Sequence, residues 1–312
     1  MNRPAHITTH LNIVTRGNRL DVNTRAKIDK VLHSIGLVIT YAFLIFAAFI
    51  VILPFYYMII GSFMQEADLI SGKFWPVSGS FFQNIADNYQ NTLARFDYFA
   101  YIGNTLIVAL STTALMLLVT IFSAFAFARL EFKGKEFLFT IFLATMMIPG
   151  EMMVITNYNT MSNLGMISVD QTRMQAYFVM VAPFIASVFY IYLLRQNFKQ
   201  IPNELYLASK VDGKSDWEYL WKVMVPLAAP TLITITILSI IGSWNAYVWP
   251  QIATSASRNP DKYWLISVAI RGTEALTLED PNGTKITQYS WQMVASTLTV
   301  VPLLILFIIF RK

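Results

Sequence analysis

Glu204-Leu-Tyr-Leu-Ala-Ser-Lys-Val-Asp212-Gly213-Lys-Ser215-Asp-Trp-Glu218-Tyr-Leu-Trp-Lys-Val-Met-Val-Pro226-Leu is a charged island of two short helices set between long apolar segments. Pro202 suits the first turn of a helix, where its missing N–H costs nothing. Gly213 suits the position just past the end, where a residue without Cβ turns left-handed. Leu205, Ala208 and Val211 recur at helical spacing, so the first helix has an apolar face. Ser215 followed three residues later by Glu218 has capping-box spacing and announces the second helix. Trp217, Leu220, Trp221 and Met224 then make an apolar stripe, and Pro226 leads into the next hydrophobic run. The island lies outside the lipid while its flanks lie inside, so it is either an amphipathic loop on the membrane surface or a handle for a partner.

The flanks follow from composition. Of 312 residues, 55% are hydrophobic and 13% charged, and the mean hydropathy is +0.51. A soluble domain carries about 25% charged residues, and several apolar runs here exceed the roughly 20 residues that cross a bilayer as helix. The expected fold is an all-α membrane protein with six transmembrane helices at about 36–61, 103–128, 136–157, 174–195, 226–249 and 289–310. Pro149-Gly150 falls inside the third. A polar loop with Trp75, Pro76 and Tyr89 joins the first two, and a second long loop covers about 250–288, with a turn at Asp280-Pro-Asn-Gly283. Residues 1–34 read as a tail and 35–312 as one transmembrane domain. On this topology 16 of the 23 Lys and Arg residues share one side, which places the tail, the island and the C-terminus in the cytoplasm.

Several function classes drop out. Cys is absent and the His residues are His6, His10 and His33, all ahead of the first span, so no metal site, thiol chemistry or intramembrane His relay is expected. The net charge of +5 records orientation, since no Lys/Arg patch interleaved with aromatics offers a nucleic-acid surface, and membrane lipid is the expected surrounding. Gly213-Lys214-Ser215 imitates the end of a phosphate-binding loop, but Ala208 stands where that loop needs its first glycine. No cofactor and no enzymatic activity are expected. An ion-coupled secondary carrier would keep ionisable groups within the membrane, and only Glu151 qualifies. It reads either as a gate or as an interfacial carboxylate bonded to backbone freed by Pro149-Gly150. The run Gly242-Ser243-Trp244-Asn245-Ala246-Tyr247-Val248-Trp249-Pro250 mixes aromatic faces with hydroxyl and amide groups, which suits a neutral polyhydroxylated solute. Ser243, Asn245 and Tyr247 are pathway candidates there, whereas Trp249 reads as an interfacial anchor.

Pro202-Asn-Glu204-Leu-Tyr-Leu-Ala208-Ser-Lys-Val-Asp212-Gly213, followed by Val225-Pro226-Leu, resembles the cytoplasmic EAA loop of bacterial ABC importer permeases. Gly242-Ser-Trp-Asn245 with Trp249-Pro250, and Met147-Ile-Pro-Gly150, resemble the carbohydrate-uptake branch, on the side of the maltose-type second permease. The resemblance covers residues 30 to 310. It implies a multi-pass permease subunit in the bacterial cytoplasmic membrane that takes up di- or oligosaccharides. The implied partners are a second homologous permease, cytoplasmic ATP-binding subunits and an extracytoplasmic solute-binding protein. The island then becomes a coupling helix between spans four and five, with Glu204, Leu205, Leu207, Ala208, Ser209, Asp212 and Gly213 facing the ATPase. Ser243, Asn245, Tyr247 and Glu151 become pathway candidates. Leu207 and Ser209 depart from the family pattern, which has glutamate and alanine there, so the contact leans on apolar packing and on the Asp212-Gly213 turn. An ion-coupled carrier, or a permease for a solute such as glycerol phosphate, stays open on the residues alone.

Overall fold

The apolar runs fold as helices, and prolines and charges mark where they break. A computed structural model describes residues 22–272, 276–279 and 285–310, in two units, 1–57 and 58–312. Helix α1 (Val22–Gly61) starts inside the stretch expected as a tail, whose residues 1–21 lie outside the described ones. Its Phe43, Ile45 and Phe49 are exposed, as on a helix that meets lipid on its flank.

The segment expected as a polar loop is folded. It holds α2 (Glu66–Ile70) and α3 (Phe81–Arg95). The buried stripe of α3 is polar, Asn84, Asn88 and Thr92 at four-residue spacing, so no apolar periodicity announced it. Asn88 donates to the Ser62 and Met64 carbonyls at 3.0 and 2.8 Å, and Asn84 to Ser78 O at 2.8 Å. Buried Asp68 accepts from Lys73 Nζ at 2.5 Å and from the Val77 and Ser78 backbone N–H groups. Lys73 first, then the Ser78 N–H, hold this carboxyl well below the usual range. Gly79 is needed twice over. Its φ of +74° is left-handed, and a Cβ would collide with the Gln65 amide and sit 2.7 Å from Asn84 Oδ1.

Helix α4 (Tyr98–Ala128) is the central post. Two bent pairs follow. α5 (Lys135–Thr145) and the helical run 150–163, mostly α6 (Met153–Asn163), meet at 80°, and Pro149 lies in the break. α7 (Arg173–Val181) and α8 (Val188–Gln200) meet at 51°, with Pro183 in the short turn before the break. The stretches expected as continuous spans over 136–157 and 174–195 are therefore each two rods. Proline removes one backbone donor and clashes with the preceding turn, which is enough to break a helix there.

The island supplies α9 (Asn203–Val211), α10 (Asp216–Tyr219), a π-helical turn Leu220–Met224 and α11 (Val225–Leu227). α12 (Ala229–Asn245) leaves the second island helix at 76° and stops at Asn245, before α13 (Val248–Thr254). α14 (Ile266–Gly272) and the turn before it pack on α4: Asn104 donates to Lys262 O and Trp264 O of that turn at 3.0 Å each, and Thr105 accepts from Ile266 N at 2.9 Å. A short antiparallel ribbon, β1 (Thr277–Glu279) with β2 (Lys285–Thr287), pairs Leu278 with Ile286. The expected turn at 280–283 lies outside the described residues. α15 (Tyr289–Phe310) closes the described chain, its first N–H groups capped by Glu66, which accepts from Tyr289 N and Ser290 N at 3.0 and 2.9 Å. Arg311 and Lys312 lie beyond the described residues. Among the described residues α1, α4 and α15 are long and apolar enough to cross a membrane, and each bent pair counted as one run raises the total to as many as six. The chain is a mostly helical protein of the membrane-spanning class.

Candidate functional site

The island is built by local signals. Pro202 sits immediately before the first helical residue with φ −55° and ψ 137°, one position earlier than expected. Gly213 has φ +73°, its N–H donates to Lys210 O at 3.0 Å and the Lys214 N–H to Ser209 O at 2.9 Å, the paired bonds that close a helix C-terminus. Ser215 Oγ accepts from Glu218 N at 3.2 Å. The Glu218 carboxylate does not return the bond; it pairs with Lys222 at 2.8 Å, so only half of the expected capping box forms.

The two island helices differ in what they bury. In the second, Tyr219, Leu220 and Met224 enter a core shared with Met116 and Phe125 of α4, Leu194 and Phe198 of α8 and Ile235 of α12. A π turn, which admits one extra residue, carries Leu220–Met224, and Trp217 ahead of it is 60% exposed and stacks on Phe122 at 5.8 Å. In α9 the inward groups are Tyr206 and Ser209. The Tyr206 ring meets Tyr219 edge-on at 5.1 Å, and its hydroxyl donates to Asp216 Oδ1 at 2.8 Å. Lys210 Nζ reaches the same carboxylate at 2.8 Å and, with Tyr206, holds its pKa down. Ser209, expected on the partner-facing side, is buried and its hydroxyl donates to the Tyr206 carbonyl. The apolar residues face away from the body: Leu205 is 42%, Leu207 56% and Val211 89% exposed, and Ala208, Glu204 and Asp212 are exposed with them.

Two arginines that sequence reasoning left as topology markers tie helix ends together: Arg129 fastens the island to α4 and α8, and Arg195 fastens α8 to α4 and α5. Arg129, at the end of α4, donates to Phe198 O at 3.0 Å and to Ile201 O from the same nitrogen, and to Asn203 Oδ1 at 3.3 Å. One guanidinium thus joins the end of α4, the end of α8 and the start of α9. Arg195 is 3% exposed, donates to Phe127 O at 3.0 Å and to both Glu136 oxygens at 2.8 and 3.0 Å, and lies 3.7 Å from the Phe139 ring centroid. A planar donor fork makes such multiple contacts possible. Their partners are 59 to 74 residues away, so spacing along the chain gave no sign of them.

A cavity of about 360 Å³ opens where helices break. Pro183, Ser187 and Tyr190 line it from the α7–α8 bend, Ser239, Ser243 and Trp249 from α12 and α13, and Thr112 from α4. Ser239 Oγ is also 2.9 Å from Thr113 Oγ1. Trp249, expected as an interfacial anchor, is instead 5% exposed, with its indole N–H on Val179 O at 3.1 Å. Of the pathway candidates, Ser243 is in the wall. Asn245 is exposed and off it, Tyr247 lies under the Arg271 guanidinium at 4.5 Å, and Glu151 is exposed on the turn between α5 and α6.

A family model described as "Binding-protein-dependent transport system inner membrane component" matches residues 121–312. The chain is similar to the diacetylchitobiose uptake system permease protein NgcG of Streptomyces coelicolor, 26% identical, over 88% of this chain and 84% of that one. It is also similar to the lactose transport system permease protein LacG of Rhizobium radiobacter, 30% identical, over 70% and 76%. A chain in the crystal structure of a bacterial ABC transporter involved in import of the acidic polysaccharide alginate shares the fold, with a TM-score of 0.72, 24% identity and coverage of 91% and 96%.

Proposed function

This chain belongs to the family of inner membrane components of binding-protein-dependent transport systems, and on that footing we propose that it is a permease subunit of an ATP-driven sugar importer in the bacterial cell membrane. Di- or oligosaccharides are the proposed solutes, in keeping with the names of its diacetylchitobiose and lactose relatives. The observation that carries the mechanism is the outward apolar face of α9 on a helix whose other side is fastened to α10. An exposed apolar face on a stiff mount, in a chain with no phosphate-binding loop of its own, fits a docking lever for cytoplasmic ATPase subunits. Leu205, Leu207, Ala208 and Val211 are proposed to touch the ATPase, with Glu204 and Asp212 at the rim, Gly213 setting the turn and Ser209 working from inside.

In this reading the chain crosses the membrane six times, both termini and the island are cytoplasmic, and a second homologous permease completes the pathway. An extracytoplasmic binding protein delivers the solute. Work enters from the ATPase, so this subunit needs no catalytic group. Movement of the α9 mount reaches α4 and α8 through Arg129 and through the core beneath Tyr219. The cavity borders α4, the α7–α8 bend and the end of α12, so those shifts change its shape. Membrane vesicles holding the whole assembly are expected to accumulate labelled lactose or diacetylchitobiose only with ATP inside. Uptake by this chain alone in an ion gradient would instead favour the secondary carrier.

The pathway residues separate in a paired experiment. Ser243→Leu places a branched apolar group in the cavity wall and is expected to lower uptake by about tenfold or more with subunit assembly unchanged. Asn245→Leu, off the wall, should have the smaller effect on uptake kinetics. The reverse order would move the pathway to the Asn245 side of α12.

A further inference from the structure

The cavity has a chemical character that its position alone does not reveal. Among the described residues sixteen line it, and none of these is Lys, Arg, His, Asp or Glu. Its polar groups are hydroxyls: Thr112, Ser187, Tyr190, Ser239 and Ser243. A hydroxyl both donates and accepts, which matches another hydroxyl and neutralises no charge. Trp249 offers only its ring, because its N–H is spent on Val179 O. The first turn of α8, from which Ser187 and Tyr190 come, can add backbone donors, but a helix end carries only about half a unit charge. A phosphate or carboxylate entering here would leave water without a counter-ion from this wall, and an unpaired ion is the costliest thing to desolvate.

We propose that this cavity passes uncharged, hydroxyl-bearing solutes and turns away those carrying phosphate or carboxylate. The inference rests on reading the cavity as this chain's share of the solute pathway. It divides the solute classes that the sequence left open, placing neutral saccharides inside and sugar acids and phosphorylated polyols outside.

The chain has no cysteine, so Ser243→Cys creates the sole thiol in this subunit. In the detergent-solubilised complex with its co-purified partner subunits, that thiol is treated with neutral methyl methanethiosulfonate or with the anionic sulfonatoethyl reagent. Labelling of this subunit is followed by mass. Ser71→Cys, on an exposed loop, supplies the reference ratio of the two rates, and Ala246→Cys in the same wall repeats the measurement should Ser243→Cys assemble poorly. Relative to the reference, the anionic reagent is expected to be slower at 243 by about tenfold or more. Equal ratios at 243 and 71 would overturn the neutral-wall inference while leaving the pathway reading standing. A 243 thiol that reacts with neither reagent, or whose neutral rate is unaltered by a non-hydrolysable ATP analogue, would overturn the pathway reading itself.

Discussion

Gly213→Val is expected to reduce both co-purification of the ATPase subunits and ATP-driven uptake by about tenfold or more, with membrane insertion intact. Gly213 adopts φ +73°, and a Cβ there would meet nothing within 4 Å. The penalty is therefore one of backbone conformation, about 1–3 kcal/mol for a branched residue held left-handed. The chain escapes it by abandoning the turn, which releases the bonds from Gly213 N to Lys210 O and from Lys214 N to Ser209 O. α9 then loses its angle to α10, and Leu205, Leu207 and Val211 no longer present one surface. Gly213→Asn is the control, because asparagine tolerates the left-handed region and should retain most of the activity. Equal loss in both variants would mean that the turn geometry is not what matters.

Arg129→Met carries the largest expected stability effect, about 2–4 kcal/mol, read as loss of folded complex on mild heating in detergent. Methionine keeps much of the apolar stem, so packing is little disturbed. What goes is the donor set on Phe198 O, Ile201 O and Asn203. Two carbonyls at the end of α8 are left wanting at the junction from which α9 departs. Arg129→Lys should recover only part of the loss, since one ammonium cannot span three acceptors as a planar guanidinium does. A variant that keeps its stability but loses ATP-driven uptake would make Arg129 a transmitter of motion more than a clamp.

What the sequence displayed and what it hid divide along physical lines. The island turn was legible because its causes are local: a glycine past the end of one helix and a serine at the start of the next act within a few residues. The apolar face of α9 was legible for the same reason, being a matter of spacing between Leu205, Ala208 and Val211. α3 was not, since its buried stripe is Asn84, Asn88 and Thr92 while Phe81, Phe82 and Leu93 are exposed. Arg129 and Arg195 looked like orientation signals because their acceptors are far along the chain. Trp249 carried no mark to distinguish an interfacial anchor from a buried ring whose N–H is satisfied by Val179. Ser209 sat on the expected contact list by alignment with a motif, yet helical geometry turns it inward with Tyr206, three residues before it.

The outward face of α9 can be probed directly by placing a photo-activatable cross-linking residue at Val211, the most exposed of its apolar positions at 89%. Illumination of the assembled transporter in membranes should join this chain covalently to an ATPase subunit, and the yield should change when ATP is added. Adducts with lipid or with the second permease alone, in membranes that still transport, would contradict the docking lever.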